Sequence, residues 1–237
     1  HVNLKAKQNN TPNAYIKDAS TDPRIMPLLG KIVYFKVGAD GFEIREATAD
    51  EAESHLEKLR PTVARAPRRN LRRKTITSLE KLHTKDSGAF GAKAANVAEL
   101  RKILPEAVVP SGYAVPFYFY HELMKATGLY DEAEKMLADP SFQTDATVRE
   151  KKLSDFRKQI KRAEVPVKLK DALQRMHDKF PAGTSLRCRS STNNEDLEGF
   201  NGAGLYDSFT HHPDEGPIEK TLKQVWASLW NFRAFEE

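Results

Sequence analysis

Cysteine is almost missing from this chain: Cys188 is the only one in 237 residues. No intrachain disulfide can form and no cysteine metal cluster can be built, which suits a reducing compartment. Cys188 sits inside an alternating strand pattern and reads as a small buried hydrophobe rather than a nucleophile. Long apolar runs are missing too. None approaches the roughly 20 residues that cross a bilayer, and no secretory leader is visible, so a cytoplasmic protein with no membrane partner is expected. There is no internal repeat. The hydrophobic fraction of 39% and the charged fraction of 30% fit a folded globular chain and exclude a disordered one.

What the chain does have is basic charge, +5 overall. Much of it lies in Lys58–Lys74, "KLRPTVARAPRRNLRRK", with eight basic residues, two prolines and no acid. This reads as a solvated linker between domains. A polyanion patch is the sharper reading, but no aromatic residue is interleaved for base stacking, which disfavours nucleic acid.

Before the linker, "KIVYFKV" and "FEIREA" read as two strands joined by the turn "GADG", and Thr48 or Asp50 can cap the helix "EAESHLEKL". This small β/β/α unit has too few apolar residues to be a whole domain. After the linker, "GAKAANVAELRKIL" carries a helical stripe at Ala95, Val97, Ala98, Leu100 and Ile103–Leu104. "VVPSGYAVP" reads as turn and strand, and "FYFYHELMKATG" as a helix ended by Gly128. Charged helices follow near 130–138, 146–163 and 166–180. "TSLRCRSS" is a strand, and "GPIEKTLKQVWASLWNFRAF" one long helix with Trp226 and Trp230 facing the core. The chain starts at His1 and its last residues stop inside a helical pattern, so a piece of a longer protein is expected.

Two stretches carry chemistry. In "GAFGAKAAN", Gly88, Gly91 and Lys93 stand at a helix start, where exposed N–H groups and the helix dipole favour an anion. The P-loop spacing is absent, so a turn with an exposed lysine remains the alternative. In "RCRSSTNNEDLEGFNGAGLYDSF", Arg189 follows a strand and its fork suits phosphate, while Ser190, Ser191, Thr192, Asn193 and Asn194 can satisfy the loop backbone or donate to phosphate oxygens. Gly202 and Gly204 allow a bendable loop. A surface loop with an arginine–carboxylate pair is the alternative there. Glu195 and Asp196 are expected to pair with Arg187 or to cap the loop.

The ordered series "GAKAANVAEL", "VPSGYAVP", "RCRSSTNNEDL" and "VWASLWNFRA" resembles the ATP-binding domain of the pyruvate phosphate dikinase and phosphoenolpyruvate synthase family. Its motifs read roughly G-G-K-x-A-N-L-x-E-M, V-P-x-G-F-A-V, V-R-S-S-A-x-x-E-D-L and W-A-S-L-x-x-x-R-A. "NNEDLEGFNGAGLYDS" and "HVNLKAK" look most similar to α-glucan water dikinases, as does the order of the parts. The closeness of "WASLW" to the "RSS" loop is instead typical of the synthases.

The resemblance implies an α/β (α+β) chain: the N-terminal part of an ATP-grasp domain over 75–237, preceded by a partial phosphohistidine swivelling domain over 1–57 and a linker over 58–74. It implies His1 as the phosphoryl carrier, with Lys93, Arg189, Ser190, Ser191, Thr192, Gly202 and Gly204 binding the nucleotide. ATP and Mg²⁺ are the implied cofactors. The metal carboxylate is expected beyond Glu237, so no metal ligand is assigned here and weak turnover is expected of this piece alone. The second acceptor would be a glucan or pyruvate. A non-catalytic nucleotide- or polyanion-binding module is the reading from another class.

Overall fold

A computed structural model describes residues 11–59, 67–194 and 204–236. The chain divides into two compact units, His1–Arg65 and Ala66–Glu237.

In the first unit, strands β1 (Val33–Val37) and β2 (Phe42–Glu46) pair antiparallel, with Phe35 opposite Ile44 and Val37 opposite Phe42. The turn between them is closed by Gly38 N–H donating to Gly41 O at 2.8 Å. Helix α1 (Ala49–Leu59) starts at Thr48, whose Oγ1 accepts from Glu51 N at 3.2 Å. Glu51 answers by accepting from Thr48 N at 3.0 Å, a capping box that selects Thr48 over Asp50. Arg45 lies over the Tyr34 ring at 4.4 Å and forks onto both Glu51 oxygens. No residue over 11–58 is fully buried. The described part of this unit is held by one ladder, one cap and surface ion pairs, the last worth little each.

The second unit is mostly helical. Helices α2 (Ser87–Phe90) and α3 (Ala92–Ile103) are separated by Gly91. Then come α4 (Phe117–Ala126), α5 (Leu129–Ala138), α6 (Pro140–Thr144), α7 (Ala146–Arg162) and α8 (Val167–His177). Gly128, at φ +69, takes the left-handed turn between α4 and α5. Asp139 and Asp145 each cap the helix that follows, accepting from Ser141 N at 2.8 Å and Thr147 N at 2.8 Å. The inward stripes Phe119/Leu123, Leu129/Ala133/Met136, Leu153/Phe156/Ile160 and Leu169/Leu173/Met176 meet in one core. Each of the Leu, Ile, Phe and Met side chains among them contributes about 1.5–3 kcal/mol by leaving water. Trp230 packs edge-on to Phe156 at 4.7 Å while its indole N–H donates to Tyr120 Oη at 2.9 Å.

Strands are few: β3 (Thr77–Ser78) pairs with β4 (Tyr113–Ala114), and β5 (Leu186–Cys188) with β6 (Phe209–His211), both antiparallel. Short antiparallel ladders beside a helical block make the described residues α+β. A smaller core, Leu82, Ala89, Phe90, Ala98 and Ala114, sits beneath the Gly91 turn.

Three local expectations change. The long terminal helix is two, α9 (Glu219–Ser228) and α10 (Phe232–Glu236). The chain tightens between them: Ser228 Oγ bonds back to Val225 O at 2.7 Å, and Trp230 and Asn231 N–H reach back only three residues. Helix α3 docks through Ala92, Ala95 and Ala98, whose small side chains let it approach closely, while Ile103 is left 79% exposed. Finally, the basic stretch is not a free tether over its described part. Residues 67–74 lie on the second unit, with Arg73 over Phe90 at 5.8 Å and Lys74 over Tyr118 at 4.9 Å.

Candidate functional site

The glycine turn and the loop after β5 are far apart in sequence and touch in space. Ala92 N donates to Thr192 O at 2.9 Å, and Ala94 N donates to Ser191 Oγ at 2.9 Å. Gly91 makes the contact possible. Its φ is +86, and a Cβ there would stand 2.3 Å from the Ser191 carbonyl carbon and 2.3 Å from its Oγ. Only glycine allows that approach.

The contact revises the expectation of open N–H groups at the helix start. Two donors of the first turn of α3 are taken by the loop itself, because orphan helix donors must find acceptors. Ser191 therefore acts as an internal cap. Ser190 is buried, 4% exposed, and belongs to the loop's packing. Arg189 and Lys93 are exposed, on the two segments that meet. Thr192 Oγ1 and Asn194 Oδ1 are buried without a hydrogen-bond partner, so two acceptors are left unmatched at this junction. Gly204 is left-handed, at φ +75. His1 and Gly202 lie outside the described residues, as do Glu195 and Asp196.

The loop is gripped on both sides. Asn193 Nδ2 donates to Arg68 O at 3.1 Å and Pro67 O at 3.4 Å, and Asn194 Nδ2 to Tyr206 Oη at 3.2 Å. Asn231, in the break between α9 and α10, donates to Leu205 O at 3.3 Å and Asp207 at 3.2 Å. Arg187 bonds Thr210 Oγ1 across the β5–β6 ladder at 2.9 Å. Sequence reasoning named Asn193 and Asn194 as holders of the loop backbone but missed Asn231 and the strap at 67–74. Short amides often hold loops, which is why the paired asparagines after "SST" carried that signal.

Burial raises the Cys188 thiol to about 11, which removes it as a nucleophile at neutral pH. His211, fully buried, has its Nδ1 2.9 Å from Thr221 Oγ1 and its Nε2 unpartnered. Burial lowers its pKa, as does His177 on α8, so it is held neutral. Among the described residues no group of three or more His, Cys, Asp or Glu stands together to hold a metal. No helix among the described residues is long and apolar enough to cross a membrane.

The glycine turn and the loop after β5 thus bring a lysine and an arginine onto two adjoining segments. The sequence profile of the pyruvate phosphate dikinase AMP/ATP-binding domain matches residues 87–236, and the chain belongs to that family. It is 28% identical over 164 residues to the phosphoenolpyruvate synthase of Pseudomonas aeruginosa (strain UCBPP-PA14), covering 67% of this chain and 21% of that protein. It is 26% identical over 167 residues to the probable phosphoenolpyruvate synthase of Staphylothermus marinus, covering 67% and 20%. The probable phosphoenolpyruvate synthase of Methanothermobacter thermautotrophicus is 26% identical over 167 residues, covering 68% and 24%. The chain thus spans only about a fifth to a quarter of the length of these curated relatives. The narrower likeness to α-glucan water dikinases rests on the quoted motifs alone.

Proposed function

We propose that this chain is the nucleotide-binding part of an ATP-dependent dikinase that passes a phosphoryl group through a histidine to pyruvate. The observation that carries the reading is the contact of the Gly91 turn with the Ser191–Thr192 segment, which puts the Lys93 helix and the Arg189 loop side by side. The names of the three relatives support pyruvate as the acceptor.

In this reading the triphosphate lies across Lys93, Arg189 and Thr192, with Ser190, Ser191 and the glycines Gly202 and Gly204 shaping the loop around it. The two cations replace water and offset charge that grows on the phosphate oxygens in the transition state. A neutral imidazole is nucleophilic near pH 7. His1 forms an N–P bond to the β-phosphorus as the P–O bond to AMP breaks, and the γ-phosphoryl group leaves to water as phosphate. Pyruvate gives up a C3 proton to a base that the acceptor part of the full-length protein would supply, and the N–P bond breaks as the enolate oxygen takes the phosphoryl group. Mg²⁺ would arrive with ATP and would add charge neutralisation at the phosphates beside Lys93 and Arg189. An ATP-grasp arrangement, completed by residues outside this chain, would close the site.

The full-length protein is incubated with ATP and either pyruvate or an α-glucan, and the products are separated. AMP, phosphate and phosphoenolpyruvate are expected, with an acid-labile phosphate on the wild-type protein that His1→Ala abolishes. ADP as the sole nucleotide product rejects the dikinase reading. AMP with a phosphorylated glucan, and no phosphoenolpyruvate, replaces pyruvate by the glucan that the "NNEDLEGFNGAGLYDS" motif favours.

A further inference from the structure

The family reading leaves the arginine-rich strap without a role, yet the strap runs past both halves of the cradle. Asn193 pins the carbonyl of Arg68 at 3.1 Å. On the other side, Asn70 N donates to Gly88 O at 2.8 Å, and the Arg68 carbonyl stands 3.7 Å from where a Gly88 Cβ would be. The Arg68 backbone is therefore fixed between the loop that carries Arg189 and α2, the short helix that leads into the Gly91 turn and the Lys93 helix. Three of its neighbours are committed elsewhere. Arg69 donates to Tyr130 Oη at 3.1 Å, Arg73 faces Asp86 at 3.6 Å, and Lys74 covers Tyr118 at 4.9 Å. Arg68 is exposed, and among the described residues its guanidinium has no partner.

We propose that Arg68 is a further phosphate-binding residue, reaching the polyphosphate tail of a nucleotide held in this cradle. The proposal rests on the reading above that the cradle takes ATP. A triphosphate carries more negative charge than Lys93 and Arg189 offset, and a guanidinium fork matches phosphate oxygens two at a time. A small anion is favoured over a nucleic-acid strand on two grounds. No aromatic side chain is interleaved in 58–74 to stack on bases. Two of the strap's cations instead lie over aromatic rings of the protein's own second unit, Arg73 over Phe90 and Lys74 over Tyr118.

Binding of ATP, ADP, AMP and a single-stranded oligonucleotide to the full-length protein is measured by calorimetry at two salt concentrations. Wild type, Arg68→Gln, Asn193→Ala, the double variant and Lys93→Ala are compared, with melting temperatures as the folding control. Arg68→Gln is expected to weaken ATP roughly tenfold, ADP less and AMP not measurably, with a shallower salt dependence. Asn193→Ala, which unpins the strap, produces a similar loss, and the double variant is no worse than either alone. Unchanged ATP affinity in Arg68→Gln, beside a loss in Lys93→Ala, overturns the role of Arg68 and leaves the cradle standing. Equal losses for all three nucleotides also overturn it. So does a loss confined to the oligonucleotide, which would make the strap a polymer-binding surface. A wild-type protein with no ATP affinity overturns the ATP reading itself.

Discussion

Gly91 and Gly128 both have positive φ, +86 and +69, but they stand in different surroundings. A Cβ at Gly128 meets nothing within 4 Å, whereas at Gly91 it would overlap the Ser191 backbone at 2.3 Å. Gly128→Ala should therefore cost only the left-handed strain, about 1 kcal/mol. Gly91→Ala should cost about 3 kcal/mol or more, because backbone on both sides must move. Urea unfolding of the two variants checks the difference. ATP affinity should fall with Gly91→Ala alone, since that substitution separates the two loops. The requirement for glycine at Gly91 could be guessed from its place before a helix. Its partner Ser191, 100 residues on, could not.

At the scale of elements, β5 and β6 bracket the Arg189 loop, and His211 closes the back of that ladder. Its ring meets His177 of α8 at 5.3 Å, Thr221 of α9 at 2.9 Å and Glu215 of the following turn at 3.7 Å. Burial lowers its pKa, His177 and His212 add to the effect, and Glu215 and the Gly216 backbone oppose it. A lowered histidine pKa means that the unfolded chain binds the proton first. Stability is full above the unfolded value of about 6.5 and declines as pH falls below it toward the depressed folded value. His121, lowered by burial and by Arg69, adds a decline of the same sign. Urea midpoints at pH 7.5 and 5.5 should show the loss, and His211→Asn should reduce the slope without removing it. A slope identical to wild type would assign the decline to other groups. That α4, α5, α7 and α8 are helices was legible in the sequence; which of their residues face the core was not read there. The orientation of α3 was not legible, since alanines that dock closely outcompete larger residues when the facing surface is already filled.

For the whole molecule, burial is uneven. No residue over 11–58 is fully buried, while the second unit holds a continuous core from Phe119 to Met176 and on to Ile218 and Ala227. Opening free energy follows buried contact density. Hydrogen exchange on the intact protein should therefore be fast over 11–59 and slow in α4, α7 and α8. Comparable protection in β1 and β2 would show that the first unit has apolar cover from elsewhere in the protein.

The sequence by itself determined the helical block, the β1–β2 hairpin and the family, because these follow from short-range spacing and from ordered motifs. It also singled out Lys93 and Arg189 as residue types suited to phosphate. Only the tertiary structure decided that the Ser191–Thr192 segment caps the Lys93 helix, that the terminal helix breaks at Asn231, and that half of the basic stretch is a strap rather than a tether. The reason is physical. A helix start must satisfy its donors and a cation must find a partner, but local sequence does not say which distant acceptor or ring will be within reach once the core has closed.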